Sequence, residues 1–328
     1  MTSPRTYSRN GLKPGGNRAG FTLVEILMAI TVIAILAGLL TPVVFAALNR
    51  ARETTVIVEM NQMDLAIENF KGHFGFYPPA FGPASATAPR HSITSAADML
   101  PYLNRMAPSH LENSPASRFP GTAATGPFNT RLLVWWEEVG RHLDDKSGLV
   151  FWLSAVSKNK QFPLTGGITD GSTGGNTGSR TLAPYAVDKF TDGLNLGFEV
   201  ERQDFFSFKD RQLVVEVTDT ANGFTRAYYN QAYGDENAAT TANPYPLAFR
   251  MLDANSYAAG GAYYNTNASV DSYVNPKSYQ LITFGMDGTP GNGAPGVPTD
   301  IFNVGPRGED NICNFAQGQL QKYAGDFQ

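Results

Sequence analysis

Between Phe21 and Leu48 the chain reads FTLVEILMAITVIAILAGLLTPVVFAAL, a run whose apolar character is broken only by Thr22, Glu25, Thr31 and Thr41. A helix needs about 20 such residues to cross a bilayer. The run exceeds the roughly 7–15 residues of a secretory signal core. A simple anchor has no use for Glu25, because a carboxylate inside hydrocarbon costs several kcal/mol and usually marks function. No basic residue lies between Phe21 and Leu48, so the counter-charge must come from outside the run.

Residues 1–20 carry Arg5, Arg9, Lys13 and Arg18 and no acid. A basic head before an apolar run sets orientation, because positive flanks stay on the cytoplasmic side. The whole chain of 328 residues has a net charge of −4, so without those four cations the remainder is near −8. Such a balance gives no broad cationic surface for nucleic acid. With one cysteine, Cys313, an intramolecular disulfide is impossible, and that residue reads as a small buried side chain.

The string Gly20-Phe21-Thr22-Leu23-Val24-Glu25, set between basic leader and apolar run, resembles the processing site of class III prepilins. These are the precursors of type IV pilins and of type II secretion pseudopilins. The resemblance implies that a prepilin peptidase/N-methyltransferase cuts between Gly20 and Phe21 and methylates Phe21. It further implies that Glu25 meets the new Phe21 amine of a neighbouring subunit during assembly. The residues suit this chemistry. Glycine lets the backbone enter a narrow active site, and a buried ion pair serves well as a registry device between helices. The implied partners are that peptidase, other pilin-like subunits, an inner-membrane assembly platform and membrane lipid. The implied location is single-pass in the inner, cytoplasmic membrane, with the C-terminal part on the periplasmic or extracellular side. Pro42 interrupts the run and reads either as the helix-loosening proline common in pilins or as a harmless kink.

The helical pattern continues beyond the run. Leu48, Ala51, Thr55, Val58, Gln62 and Leu65 recur at helical spacing, and Ile57, Met60, Met63, Ile67 and Phe70 widen the stripe. Arg50, Glu53, Glu59, Asp64 and Glu68 read as the opposite, solvated face. Gly72, Gly75 and Tyr77-Pro78-Pro79 stop the helix. The segment Ala66–Pro78 resembles the pseudopilin sequence leaving the long helix. The expected organisation is therefore a leader, 1–20; a transmembrane and polymerisation helix, 21–48; its amphipathic continuation, 49–77; and a globular head, 78–328.

The expected fold class is α+β, with the long N-terminal helix packed on a small antiparallel sheet that carries loop insertions at 80–185 and 230–276. Two helices are expected over roughly 97–106 and 130–158, with Trp135, Trp136 and Trp152 in a core. Residues 165–181 form a Gly/Ser/Thr insertion. Strands are expected at Leu213–Val217, Thr225–Tyr229, Leu247–Leu252 and Tyr279–Phe284.

Near the C-terminus SYQLITFGMDGTPGNG leads through a Pro/Gly connector to GEDNICNF. This resembles the C-terminal loop of major secretion pseudopilins, which binds Ca²⁺ in that family. The resemblance implies ligands from Asp287, Glu309, Asp310 and Asn311, with backbone oxygens from Phe284 or Met286. Calcium takes six to eight oxygens at about 2.3–2.6 Å. The same acids also read as solvated turn residues. The fingerprint Gly291-x-Gly293-x-x-Gly296 is discounted as a nucleotide site, because Pro295 and Pro298 prevent a helix from opening there.

Nothing in the sequence points to catalysis. His73, His91, His110 and His142 are scattered without metal-site spacing, and Asp144-Asp145 reads as a solvated pair at a helix end. The functional expectation is a structural subunit of a type II secretion pseudopilus. A type IV pilin of a surface fibre and a membrane-tethered enzyme or binding module remain the alternatives.

Overall fold

A computed structural model of the chain describes residues 20–82, 92–114, 130–164, 189–191, 199–201, 203–219, 224–234, 247–257, 262–265, 272–289, 299–301, 308, 310–316 and 318–320. The leader before Gly20, the 165–181 insertion, Glu309 and the 291–296 glycines lie outside the described residues. The chain divides into two compact units, Met1–Arg50 and Ala51–Gln328.

Helix α1 runs from Leu23 to Phe74, through Pro42. Its polar side chains within the apolar run are satisfied locally. The Thr31 hydroxyl donates to the Leu27 carbonyl at 2.7 Å and that of Thr41 to the Ala37 carbonyl at 2.6 Å. Such back-bonding lets hydroxyls sit in an apolar solvent without orphaned groups. In the first unit the helix is exposed throughout and is long and apolar enough to cross a membrane. The C-terminal end is a left-handed glycine cap. Gly75 has φ 80° and its N–H donates to the Lys71 carbonyl at 2.7 Å.

In the second unit, α1 buries Val56, Glu59, Met60, Met63, Ala66, Ile67 and Phe70. This corrects the expected stripe. Val58 is 48% exposed and Leu65 63%, whereas Glu59, assigned to the solvated face, is 2% exposed. The helix has apolar residues on both sides. The head takes the side with large Met and Phe side chains, which bury more area per residue.

The rest of the second unit wraps that face. Helix α2, Ala96–Met106, falls where expected. The expected 130–158 helix is instead three pieces: α3 at Arg131–Glu138, a 3-10 turn at Gly140–His142 and α4 at Ser147–Ser154. The break follows from packing. A Cβ on Gly140 would sit 2.5 Å from Trp136 Cε3 and 2.7 Å from Trp135 Cζ3, so the chain turns where only glycine fits. Asp144 then starts α4, its Oδ1 accepting the Ser147 N–H at 2.8 Å. Asp144 and Asp145 are thus not a solvated pair. Arg226 reaches Asp144 at 3.5 Å, and Arg250 reaches Asp145 at 2.6 Å.

The strands are β1 Lys189–Thr191, β2 Glu199–Glu201, β3 Leu213–Asp219, β4 Phe224–Tyr229, β5 Arg250–Asp253, β6 Tyr263–Asn265, β7 Ser272–Tyr273, β8 Tyr279–Thr283, β9 Thr299–Asp300, β10 Ile312–Cys313 and β11 Gly318–Gln319. The central sheet has the order β11-β10-β8-β5, all antiparallel. The β3-β4 hairpin continues it, because Phe249 N–H donates to the Tyr229 carbonyl and Gln231 N–H to the Leu247 carbonyl, both at 2.9 Å. Strands β1 and β2 pair with each other, and β6 pairs with β7 and, in parallel, with β9. The observed architecture is α+β with an antiparallel sheet, as expected.

The main core lies between α1, the short helices and the sheet. Trp135 and Trp152 are fully buried, Trp136 nearly so, and Cys313 is buried as expected. Phe70 of α1 meets Phe76, Trp152 and Phe205 with centroids 5.2–5.8 Å apart, each edge-on. The Trp152 indole N–H is satisfied by the Pro79 carbonyl at 2.8 Å.

Candidate assembly motif and acidic loop

Gly20 and Phe21 are exposed at the start of the described chain, Phe21 to 84%. Thr22 and Glu25 form a capping box. The Thr22 N–H and hydroxyl donate to Glu25 Oε2 at 2.8 and 2.9 Å, and the Glu25 N–H donates back to Thr22 Oγ1 at 3.3 Å. The Thr-x-x-Glu spacing is itself a helix-start signal in the sequence. Among the described residues no cation reaches Glu25.

The acidic loop follows β8. Asp287 closes its own turn, its carboxylate accepting the N–H and hydroxyl of Thr289 at 2.9 and 2.8 Å. Asp310 Oδ2 accepts the Met286 N–H at 2.8 Å, while its Oδ1 is buried with no hydrogen-bond partner among the described residues. Burial, and then the negative charge of Asp287, hold the Asp310 carboxyl above the usual carboxylate range. Gly285 is compulsory here, because a Cβ would lie 2.1 Å from Asp310 Cγ. Asn311 is fully buried and acts as a clasp: its Oδ1 accepts the Gly285 N–H at 3.0 Å and its Nδ2 donates to the Tyr263 hydroxyl at 2.7 Å. The Phe284 carbonyl accepts Gln231 Nε2 at 2.9 Å.

Asp287 and Asp310 are hard oxygen donors of the kind Ca²⁺ takes, but two carboxylates are short of its six to eight ligands, and both Asp287 oxygens are already engaged by Thr289. Among the described residues no group of three or more acidic, His or Cys side chains could bind a metal, and Glu309 lies outside them.

Two polar seams fasten α1 to the head, and the sequence reading missed both. On one flank of the buried stripe, Glu59 accepts Lys209 Nζ at 2.5 Å and Gln212 Nε2 at 2.9 Å. Burial and the nearby Glu59 charge push the Tyr229 phenol up. On the other flank, Asp64 Oδ1 accepts the Tyr279 hydroxyl at 2.5 Å and Asn314 Nδ2 at 3.0 Å. Burial and that hydrogen bond raise the Tyr279 phenol well above its ordinary value. A signal for Glu59 existed, since Val56, Met60 and Met63 surround it at helical spacing.

Residues 16–41 match the family model of the prokaryotic N-terminal methylation motif. A stretch of 45 residues, 14% of the chain, is 49% identical to the type IV wide pilus major component PilA4 of Thermus thermophilus, covering 34% of that protein. The chain therefore spans about a third of the length of the curated relative it matches. No solved structure matches it. The methylation motif spans the expected cut site, and with the pilin relative it makes the N-terminal segment of the chain similar to that of class III prepilins, the precursors of type IV pilins and pseudopilins.

Proposed function

We propose that the chain is a structural subunit of a type II secretion pseudopilus. Prepilin peptidase removes residues 1–20, Phe21 becomes the methylated terminus, and the processed helix sits in the inner membrane until it is drawn into a filament. Glu25 then pairs with the Phe21 amine of an adjacent subunit, which fixes the axial stagger. The observation that favours a pseudopilus over a surface fibre is the acidic loop after β8, with Asp287 and Asp310 disposed as an oxygen site. The lone Cys313 supports the same choice, because surface pilins commonly close their C-terminal region with a disulfide. A surface-fibre pilin is the second reading, favoured by the similarity to a wide pilus component.

Coexpression with a prepilin peptidase tests the reading directly. The intact mass should correspond to a chain beginning at methylated Phe21. Retention of residues 1–20 in a working assembly would overturn it.

Ca²⁺, when bound, supplies a divalent charge that neutralises the two loop carboxylates. The rest of the loop's behaviour belongs to Asp310. Its folded-state pKa is raised, so the metal-free folded protein holds that proton more tightly than the unfolded chain does. Metal-free stability therefore rises as pH falls through the folded pKa and declines as pH rises through it. Near neutral pH, calcium should raise the melting temperature, and Asp310→Asn should abolish both that gain and the acid-side stabilisation. Identical melts in calcium and in chelator at neutral pH would remove calcium from the account.

A further inference from the structure

Arg52 lies four residues beyond Leu48, the last residue of the apolar run, and its guanidinium stands 5.8 Å over the ring of Tyr233. Both side chains are exposed, Tyr233 to 38%. Among the described residues Arg52 stands in no ion pair. The cation is therefore held by an aromatic face rather than by a carboxylate. Stacking of this kind fixes the guanidinium plane while leaving its donors outward.

The depth along the helix is informative. The apolar run from Phe21 to Leu48 has 28 residues, more than the roughly 20 that a helix needs to cross the hydrocarbon, and Arg52 follows its end by four residues. A bilayer with its headgroups is about 40–45 Å thick. With the apolar run in the hydrocarbon, as the proposed membrane insertion requires, Arg52 just beyond its end falls in the headgroup layer. Arginine and tyrosine are both residues that favour this layer, the aromatic at the headgroup level and the guanidinium on phosphate. The remainder of the chain is near −8 once the leader is removed, so attraction to an anionic membrane has to be local.

We infer that Arg52, held by Tyr233, is a docking point for the phosphate of membrane phospholipids on the side where the head emerges, seating each subunit before assembly. This rests on the membrane reading above. The test uses the processed full-length chain with isotope-labelled arginine in bilayers of phosphatidylglycerol and phosphatidylcholine. Dephasing of the guanidinium carbon by lipid phosphorus reads the contact in solid-state NMR. A component of the dephasing should vanish in Arg52→Gln, shrink in Tyr233→Ala and persist in Tyr233→Phe. Dephasing unchanged by Arg52→Gln, in protein that still floats with the bilayers, would refute the docking point alone. Failure to float would refute the membrane reading instead. The same dephasing from inorganic phosphate, with the protein in phosphorus-free detergent, would show a general anion contact and overturn the lipid assignment.

Discussion

If the chain assembles as proposed, Glu25→Ala should abolish filament formation while leaving the head folded and the leader still removable. The carboxylate sits in a run with no cation of its own, and Thr22 is its partner within the chain. That capping box satisfies Oε2 with two donors, which lowers the cost of carrying the acid in a membrane but does not neutralise it. A residual charge in hydrocarbon is worth several kcal/mol, and pairing it with an amine on an adjacent subunit converts that cost into attraction between helices. On that reading, removing the carboxylate would ease the helix into lipid and remove the attraction that draws it to a neighbour. Electron microscopy of assembled filaments, beside a melt of the head and a mass of the processed chain, checks the three parts separately. Filaments in normal number from the alanine variant would mean that this acid plays no part in assembly. Glu25→Gln separates charge from hydrogen bonding, since it retains the acceptor for Thr22 and should assemble no better than alanine.

Lys209→Met destabilises the head by about 3 kcal/mol, the low end for breaking a buried ion pair by removing one partner. The low end is chosen because Lys209 is 45% exposed while Glu59 is 3% exposed at the side chain. The lone lysine is therefore easily hydrated, but the carboxylate left behind is not. Gln212 still donates to it at 2.9 Å. Glu59→Gln combined with Lys209→Met should recover most of the loss, because an amide buried beside Gln212 and Tyr229 carries no charge. Denaturant unfolding of the two single variants and the double variant gives the coupling. A loss under 0.5 kcal/mol for Lys209→Met, the size of an ordinary surface pair, would show that water reaches Glu59.

The sequence made the long helix, its cut site and the antiparallel strands legible because each carries a strong local pattern. A long apolar run excludes most alternatives, and the strand segments at 225–229 and 279–284 are short runs separated by turn residues. The choice of helix face was not local. Val58 and Leu65 are as apolar as Met63 and Ile67, and only the shape of the head decides which pair is covered. Glu59 went to the solvated face for the same reason, since its partners Lys209 and Gln212 lie 150 and 153 residues away. The break at Gly140 depended on two indole rings closing over it, which composition cannot reveal. In the acidic loop, Asp287 and Asp310 were readable as acids near glycines. The spending of Asn311 on Gly285 and Tyr263 required the fold.

The two seams have a consequence for the order in which the molecule is made. Asp64 is grasped by Tyr279 and Asn314, which follow it by 215 and 250 residues. A chain delivered from its N-terminus exposes the Met and Phe side of α1 long before these groups arrive, and loops of that length close slowly. The Asp64 flank therefore waits for Tyr279 and Asn314, whereas the flank that meets Trp152 and Phe205 can be covered sooner. Truncation just before Asn314 removes one of the two donors to Asp64 and should leave the head more sensitive to protease than the full chain.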